Sequence, residues 1–180
     1  ENYWGKEPAS VKTLILKVIP ENGARMAALQ TGEVDIATNI PPFMAPSLSK
    51  SQDIKVISGP SGRVIFIGMN LLKAEKAGPL MKKEVRQALN YAVDKQSLIK
   101  NILMGSGQEL ATPLVPGMFG FDPAIQAYPY DPEKAKKLLA EAGFPSGFET
   151  EFDTGSGRYL MDKQIAEAVV GMLAKVGVKV

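Results

Sequence analysis

The chain has 180 residues, of which 45% are apolar, and its 21 Lys and Arg against 19 Asp and Glu give a formal net charge of +2. This length suffices for one domain or two small ones with a real core, and so even a charge balance gives no electrostatic footprint for nucleic acid. Because the sequence contains no cysteine and no histidine, it excludes disulfides, zinc–thiolate and imidazole metal sites, and Ser-His or Cys-His catalysis.

The first third of the chain predicts short strands alternating with short helices. Pro20 and Gly32 follow apolar segments at positions where a strand and a helix are expected to end. Alternating apolar and polar side chains near residue 55 suit a half-buried strand. The predicted strands cover residues 12–19, 34–37 and 53–58, and the predicted helices or turns cover 21–31 and 41–49.

A break in the chain lies at residues 59–62, whose sequence is GPSG. The apolar segment that follows, 63–69, does not alternate, so we expect a strand that is buried on both faces. Helices dominate after this point. We therefore place a domain boundary near Ser61, with residues 1–60 in one lobe and 61–180 in another.

Helical signals are stronger in the second part of the chain. Asp94 and Asp131 are predicted N-caps, and Pro132 suits the first helical position. Residues 104–130 are rich in Gly and Pro and predict a loop. Helices are predicted over 82–93, from Asp94, from Asp131 to Gly143 and over about 160–176, and a strand over 148–152. This alternation predicts an α/β class with a mixed sheet.

Two glycine-rich loops, 105–107 and 155–158, are candidates for anion binding by backbone N–H groups. The second loop lies between a predicted strand and a predicted helix, and Arg158 could pair there with a carboxylate. Short glycine motifs are weak signals, so we favour a flexible connection. Basic clusters at 82–83 and 134–137 alternate with glutamates and are interpreted as solvated helix faces.

Scattered carboxylates leave a hydrolase open as an alternative, since two of them could meet as an acid/base pair. Asp94 and Asp131 are already explained as helix caps, and no local spacing supports such a pair. Arg63 begins an apolar strand after the proposed boundary, where a cleft between lobes would bind a ligand, or it is an exposed strand-end residue. Asn39 is either a ligand-facing amide or a turn residue.

The sequence around these candidates resembles a known family. The matching stretches are VIP at 18–20, ARMAALQTGEVDIA at 24–37, VRQALNYAVDK at 85–95, YPYDPEKAKKLLAEAGF at 128–144 and YWG at 3–5. Together they resemble the family 5 extracellular solute-binding proteins, the peptide- and nickel-binding components of ABC importers. The chain starts without Met and ends where a strand begins, so we expect an internal piece of a longer protein that carries no information about a leader or lipid anchor.

The resemblance implies a partial type II periplasmic-binding-protein fold, with mixed sheets and flanking helices. It implies a monomeric, non-enzymatic protein, periplasmic or extracellular and lipid-anchored, that passes a peptide-like or other small solute to ABC permease subunits. No cofactor, metal or nucleic acid is expected. A carboxylate-based hydrolase and an adaptor domain are the competing classes. The residues that the resemblance places near the cleft are Asn39, Ser61, Arg63, Phe66 and Gly68.

Overall fold

The computed structural model describes residues 4–5, 10–72 and 77–180. Tyr3 of the predicted YWG motif lies outside the described residues. The chain forms two compact units, Glu1–Thr38 and Asn39–Val180. The lobe boundary predicted near Ser61 concerns a longer protein and stays a prediction.

The first unit is organised around one helix, α1 (Asn22–Gln30). The carboxylate of Glu21 caps it by accepting the backbone N–H groups of Gly23 and Ala24. From the first turn of α1, the Arg25 guanidinium donates to the carbonyl oxygens of Ile19 at 2.8 Å and Thr38 at 3.1 Å. One side chain therefore joins the segments before and after the helix.

The second unit contains the remaining helices, and their ends follow the predicted caps. The Asp94 carboxylate accepts the N–H of Ser97 at 2.9 Å, and Asp131 accepts that of Lys134 at 2.9 Å. These bonds satisfy N–H groups that a helix leaves unpaired at its start. The described helices are α2 (Ala45–Leu48), a 3-10 helix (Gly78–Met81), α3 (Lys83–Ala92), α4 (Lys95–Asn101), α5 (Pro132–Glu141) and α6 (Asp162–Ala174).

The core of the second unit lies where α3 packs on α5, with α6 alongside. Val85 and Ala88 of α3 and Ala135 and Leu139 of α5 are buried, as is Val169 of α6. Each buried Leu or Val contributes about 1.5–3 kcal/mol relative to exposure. The helices predicted over 82–93, from Asp131 to Gly143 and over about 160–176 are confirmed.

A small parallel sheet of two strands, with two residues in each, connects α6 to the rest of the unit. Strand β1 (Phe148–Glu149) pairs with β2 (Val178–Lys179), and Phe148 lies opposite Val178. Gly147 and Gly177, at the entrances to the two strands, both have positive φ, of 78° and 89°. A Cβ on Gly147 would lie 1.8 Å from the carbonyl oxygen of Gly177, so no side chain fits there.

The other predicted strands are wrong for the part of the chain that the structure describes. The segments 12–19, 34–37, 53–58 and 63–69 form no sheet with any other described residue. Large apolar side chains in them are exposed, including Leu16 and Phe66, so the expectation that 63–69 is buried on both faces is also wrong. The described chain places no neighbouring strand beside them, and a strand needs such a neighbour for its backbone hydrogen bonds.

Substituting alanine at Gly147 tests the two-glycine contact. We expect Gly147→Ala to lower the free energy of unfolding by about 3 kcal/mol, because positive φ and overpacking both penalise the new Cβ. Gly171 is a matched control: it lies inside α6 in open space. Gly171→Ala is expected to raise stability by about 0.5–1 kcal/mol. Urea denaturation measures both changes, and equal effects would show that the contact is unimportant.

Candidate functional site

A large pocket lies within the second unit, with a volume of about 1030 Å³. Four of the five predicted site residues line it, and Asn39 touches one of them. The wall comes from the segment 61–70, from α3, α4 and α6, and from the loop 106–113 and residues 149–153. Its apolar part includes Val64, Ile65, Phe66, Ile67, Leu89, Val93, Leu98, Ile99, Leu103, Leu110, Phe152, Ile165, Val169, Leu173 and Val180.

Three of the predicted residues form one polar cluster at this pocket. The Arg63 guanidinium donates to the side-chain oxygen of Asn39 at 3.3 Å. The backbone N–H of Arg63 donates to the Ser61 hydroxyl at 3.3 Å. Asn39 holds a left-handed backbone conformation, with φ of 55°, that asparagine tolerates better than most residues. The structure thus brings together residues that are up to 24 positions apart in the sequence.

Phe66 and Gly68 supply an aromatic surface on the same wall. The Phe66 ring is 69% exposed. A Cβ on Gly68 would lie 3.8 Å from the edge of that ring, so glycine leaves this side of the ring open. A mainly apolar pocket with a few convergent polar groups is the usual form of a small-molecule site.

Sequence reasoning missed a second polar element, the ion pair between Lys95 and Glu109. Their charged atoms lie 3.1 Å apart, and the side chains are only 28% and 23% exposed. Gln96 donates to the other carboxylate oxygen of Glu109 at 2.8 Å, and Lys95 also donates to the carbonyl oxygen of Tyr128 at 2.9 Å. No local spacing in the sequence signals this pair, since its members lie 14 positions apart and Glu109 sits in an irregular loop.

Glu149, a carboxylate of the pocket wall, does not show the signature of a general acid. Its hydrogen bond from Lys179 lowers its pKa, and the positive charge of that lysine lowers the pKa further. A general acid needs a raised pKa. Wherever a displaced carboxyl pKa is resolved in the described chain, it is lowered, at Glu21, Glu149 and Asp162. Across the same residues no group of three acidic side chains is placed to hold a metal ion.

The glycine-rich loop 155–158 does hold an anion, but the anion belongs to the protein. The Asp162 carboxylate, 8% exposed, accepts the backbone N–H groups of Gly157, Arg158, Tyr159 and Lys163 at 2.8–3.0 Å. Burial raises the pKa of Asp162, but these four N–H groups together outweigh that effect and leave the pKa below its usual value. The interpretation of the loop as merely a flexible connection therefore needs correction.

Arg158 itself does not use its side chain on a carboxylate in this structure. Its Nε donates to the Tyr159 hydroxyl at 3.3 Å, while only its backbone N–H contacts Asp162.

None of the described helices is both long enough and apolar enough to cross a membrane.

Comparison with known proteins identifies relatives over the whole chain. Residues 1–180 match the sequence model of the bacterial extracellular solute-binding proteins, family 5 middle region. Heme-binding protein A of Haemophilus influenzae is 40% identical over 99% of this chain and 32% of its own length. Glutathione-binding protein GsiB of Salmonella typhimurium is 33% identical over 98% of this chain and 33% of its own length.

A solved structure supports the same assignment of the fold. The ABC transporter-associated periplasmic binding protein DppA from Helicobacter pylori, in complex with peptide STSA, superposes with a TM-score of 0.76. It is 31% identical and covers 91% of this chain and 30% of its own. These neighbours confirm the predicted type II periplasmic-binding-protein fold. The chain spans about a third of the length of the curated relatives that it matches.

Removing the charge at Asp162 tests the internal anion site. We expect Asp162→Asn to lower the free energy of unfolding by about 1.5–3 kcal/mol at pH 7, the range for hydrogen bonds to a charged group. The pKa of the Asp162 carboxyl is lower in the folded protein than in the unfolded protein, where it is about 3.9. As pH falls below that value, the unfolded state therefore binds protons before the folded state does. The stabilisation by Asp162 is therefore full above that pH and is lost as pH falls through the folded pKa.

Urea denaturation at pH 7 and in steps down to pH 2.5 measures this difference. The difference in the free energy of unfolding between wild type and Asp162→Asn should become smaller as the pH is lowered. Asp53 is an exposed control, and Asp53→Asn should change stability little at either pH. A gap that is constant with pH would contradict the proposed role of the Asp162 charge.

Proposed function

The chain belongs to the bacterial extracellular solute-binding proteins of family 5, and on that basis we propose that it is part of the substrate-binding component of an ABC importer. The component captures a peptide-like solute and delivers it to permease subunits in the membrane. The observation that supports this proposal most directly is the mainly apolar pocket of about 1030 Å³ with an arginine at its wall. The site would lie in a cleft between lobes of the intact protein.

Arg63 is the residue we propose for binding a carboxylate of the solute. Within the described chain its guanidinium donates to Asn39 alone, and a guanidinium carries five N–H donors. Two parallel donors from an arginine fit the two oxygens of a carboxylate. In this scheme Asn39 fixes the orientation of the guanidinium, and the Ser61 hydroxyl fixes the backbone at Arg63.

Phe66 and Gly68 would provide the apolar contact. An exposed ring beside a glycine offers a flat surface against which a peptide group or an apolar side chain can pack. The names of two relatives, a glutathione-binding protein and a heme-binding protein, indicate solutes that combine carboxylates with a larger body. Both features of the pocket suit that combination.

Closure of the lobes over the solute would follow from differential contact. A solute that touches both lobes only in the closed state stabilises that state over the open one. The closed form would then be the one that the permease recognises. We propose a monomeric, non-enzymatic protein that is periplasmic, or extracellular and lipid-anchored. The hydrolase alternative gains no support from the described carboxylates, whose displaced pKa values are lowered.

A panel of solutes tests the proposed function in the intact protein. The panel holds reduced glutathione, haemin, peptide STSA, a dipeptide and a nickel–histidine complex. A solute that binds only the folded protein should raise stability by about 2.7 kcal/mol at a concentration of 100 times Kd. Thermal shift measures this, and chromatography checks that the peptides are recovered intact. No response to any panel member would refute a peptide-class solute, and hydrolysis would favour the enzyme alternative.

Neutralising Arg63 tests the site assignment. We expect Arg63→Met to raise the Kd for reduced glutathione by about 10- to 100-fold, since hydrogen bonds between charged groups contribute about 1.5–3 kcal/mol. Arg158→Met is the matched control, because the Arg158 side chain does not line the pocket. Isothermal titration calorimetry measures both constants. Equal affinity of Arg63→Met and wild type would remove Arg63 from the site.

A further inference from the structure

We propose that Lys95 is a positioning residue for solute binding: its ammonium group holds Glu109 and so fixes the loop segment 106–113 as a wall of the pocket. This inference rests on the function proposed above. Lys95 and Glu109 line the same pocket, but neither is among the residues assigned above to the solute.

The segment depends on few anchors. Residues 104–130 form no helix or strand, and loops of this length inside a compact unit are uncommon and usually functional. Every residue from 106 to 113 lines the pocket. Among the described residues, the hydrogen bonds of residues 107–127 to partners outside the loop all run through the Glu109 carboxylate.

Both carboxylate oxygens of Glu109 are held by the first turn of α4. Lys95 approaches one at 3.1 Å, and Gln96 donates to the other at 2.8 Å. The Lys95 ammonium also donates at 2.9 Å to the carbonyl oxygen of Tyr128, near the far end of the same loop. One cation thus joins two points of the loop that lie 19 residues apart.

The two ends of the loop differ in what else holds them. At the far end, the Tyr128 ring packs edge-on against Tyr91 with centroids 5.1 Å apart, and the Asp131 N–H donates to the Tyr91 carbonyl at 2.8 Å. At the near end, Gly105 and Ser106 donate to carbonyls of Ile99 and Leu103, and the wall begins directly afterwards. Loss of the Lys95 contact would therefore release the wall while leaving the far end fixed.

Release of the wall would weaken solute binding through the population of competent pockets. When only a fraction of the molecules has the wall in place, the apparent Kd rises by the inverse of that fraction. Lys95 lines the pocket and its side chain is 28% exposed, so direct contact with the solute is the alternative that the Glu109 variant below tests. Removal of Glu109 also removes the hydrogen bond from Gln96, so its effect is expected to be at least as large as that of removing Lys95.

Hydrogen exchange of the solute-free intact protein tests the anchor itself. We expect Lys95→Met to speed amide exchange in residues 106–113 at least 10-fold, while exchange in α3 and α5 stays at the wild-type rate. Lys100→Met is the control: Lys100 is exposed on the same helix and, within the described chain, its side chain makes no hydrogen bond or ion pair. Exchange that is unchanged in Lys95→Met, or faster throughout the protein, would overturn the proposal.

Calorimetry with reduced glutathione tests the consequence for binding. Lys95→Met should raise Kd about 5- to 20-fold and Glu109→Met at least as much, and the double variant should resemble Glu109→Met because Lys95 acts through that carboxylate. Lys95→Arg should retain most of the wild-type affinity. Weaker binding in Lys95→Met with tighter binding in Glu109→Met would mean that the ammonium contacts the solute directly, and would refute a positioning role.

The outcomes separate this inference from the proposed function. Binding by wild type together with an unchanged Kd in Lys95→Met refutes the positioning role alone. Absence of binding by wild type across the solute panel refutes the proposed function, and the positioning role with it. The exchange experiment uses no solute, so it reports on the Lys95–Glu109 contact in either case.

Discussion

The close packing of α3 on α5 is the contact on which the second unit depends. Alanines at the interface, Ala88 and Ala135 among them, are fully buried and bring the two helices together. The end of α3 leads into α4, which carries Lys95, and the start of α5 receives the end of the 104–130 loop. The pocket wall is therefore positioned by a helix contact that contributes little to its lining.

Polar contacts at the helix ends hold this pair in register. Lys82, before α3, donates at 2.7 Å to the carbonyl oxygen of Ala142 at the end of α5. Lysine at that position satisfies an unpaired carbonyl and the negative end of the helix dipole. At the opposite ends, the N–H of Asp131 donates to the Tyr91 carbonyl. Lys82 is exposed, as the sequence predicts for a solvated basic face, and its ammonium also makes this specific contact.

Four acidic residues of the described chain bind backbone N–H groups of the protein itself. Asp94, Asp131 and Glu21 cap helices, and Asp162 fills the N–H groups of the glycine-rich loop. Arg63, in contrast, lies at the pocket, and within the described chain its guanidinium donates only to Asn39.

The exposed apolar segments are consistent with the length of the relatives. Leu14, Leu16 and Phe66 belong to segments that the sequence marks as strands, yet no described strand covers them. The matched relatives are about three times as long as this chain. A continuous apolar segment is typical of a strand whose two faces are both covered. Such a strand is buried only when the neighbouring strands of its sheet are present.

The sequence by itself determined the helices, because their signals are local. Asp94 and Asp131 cap helices within three residues of themselves, and the stripes of α3, α5 and α6 repeat every turn. The ordered motifs also identified the family. Only the tertiary structure decided that Asp162 occupies the glycine-rich loop, that Gly147 faces Gly177, and that Lys95 holds Glu109. Each of those contacts forms because the folded chain brings the two groups close together in space. Neither the periodicity of the sequence nor the residue types reveal that closeness.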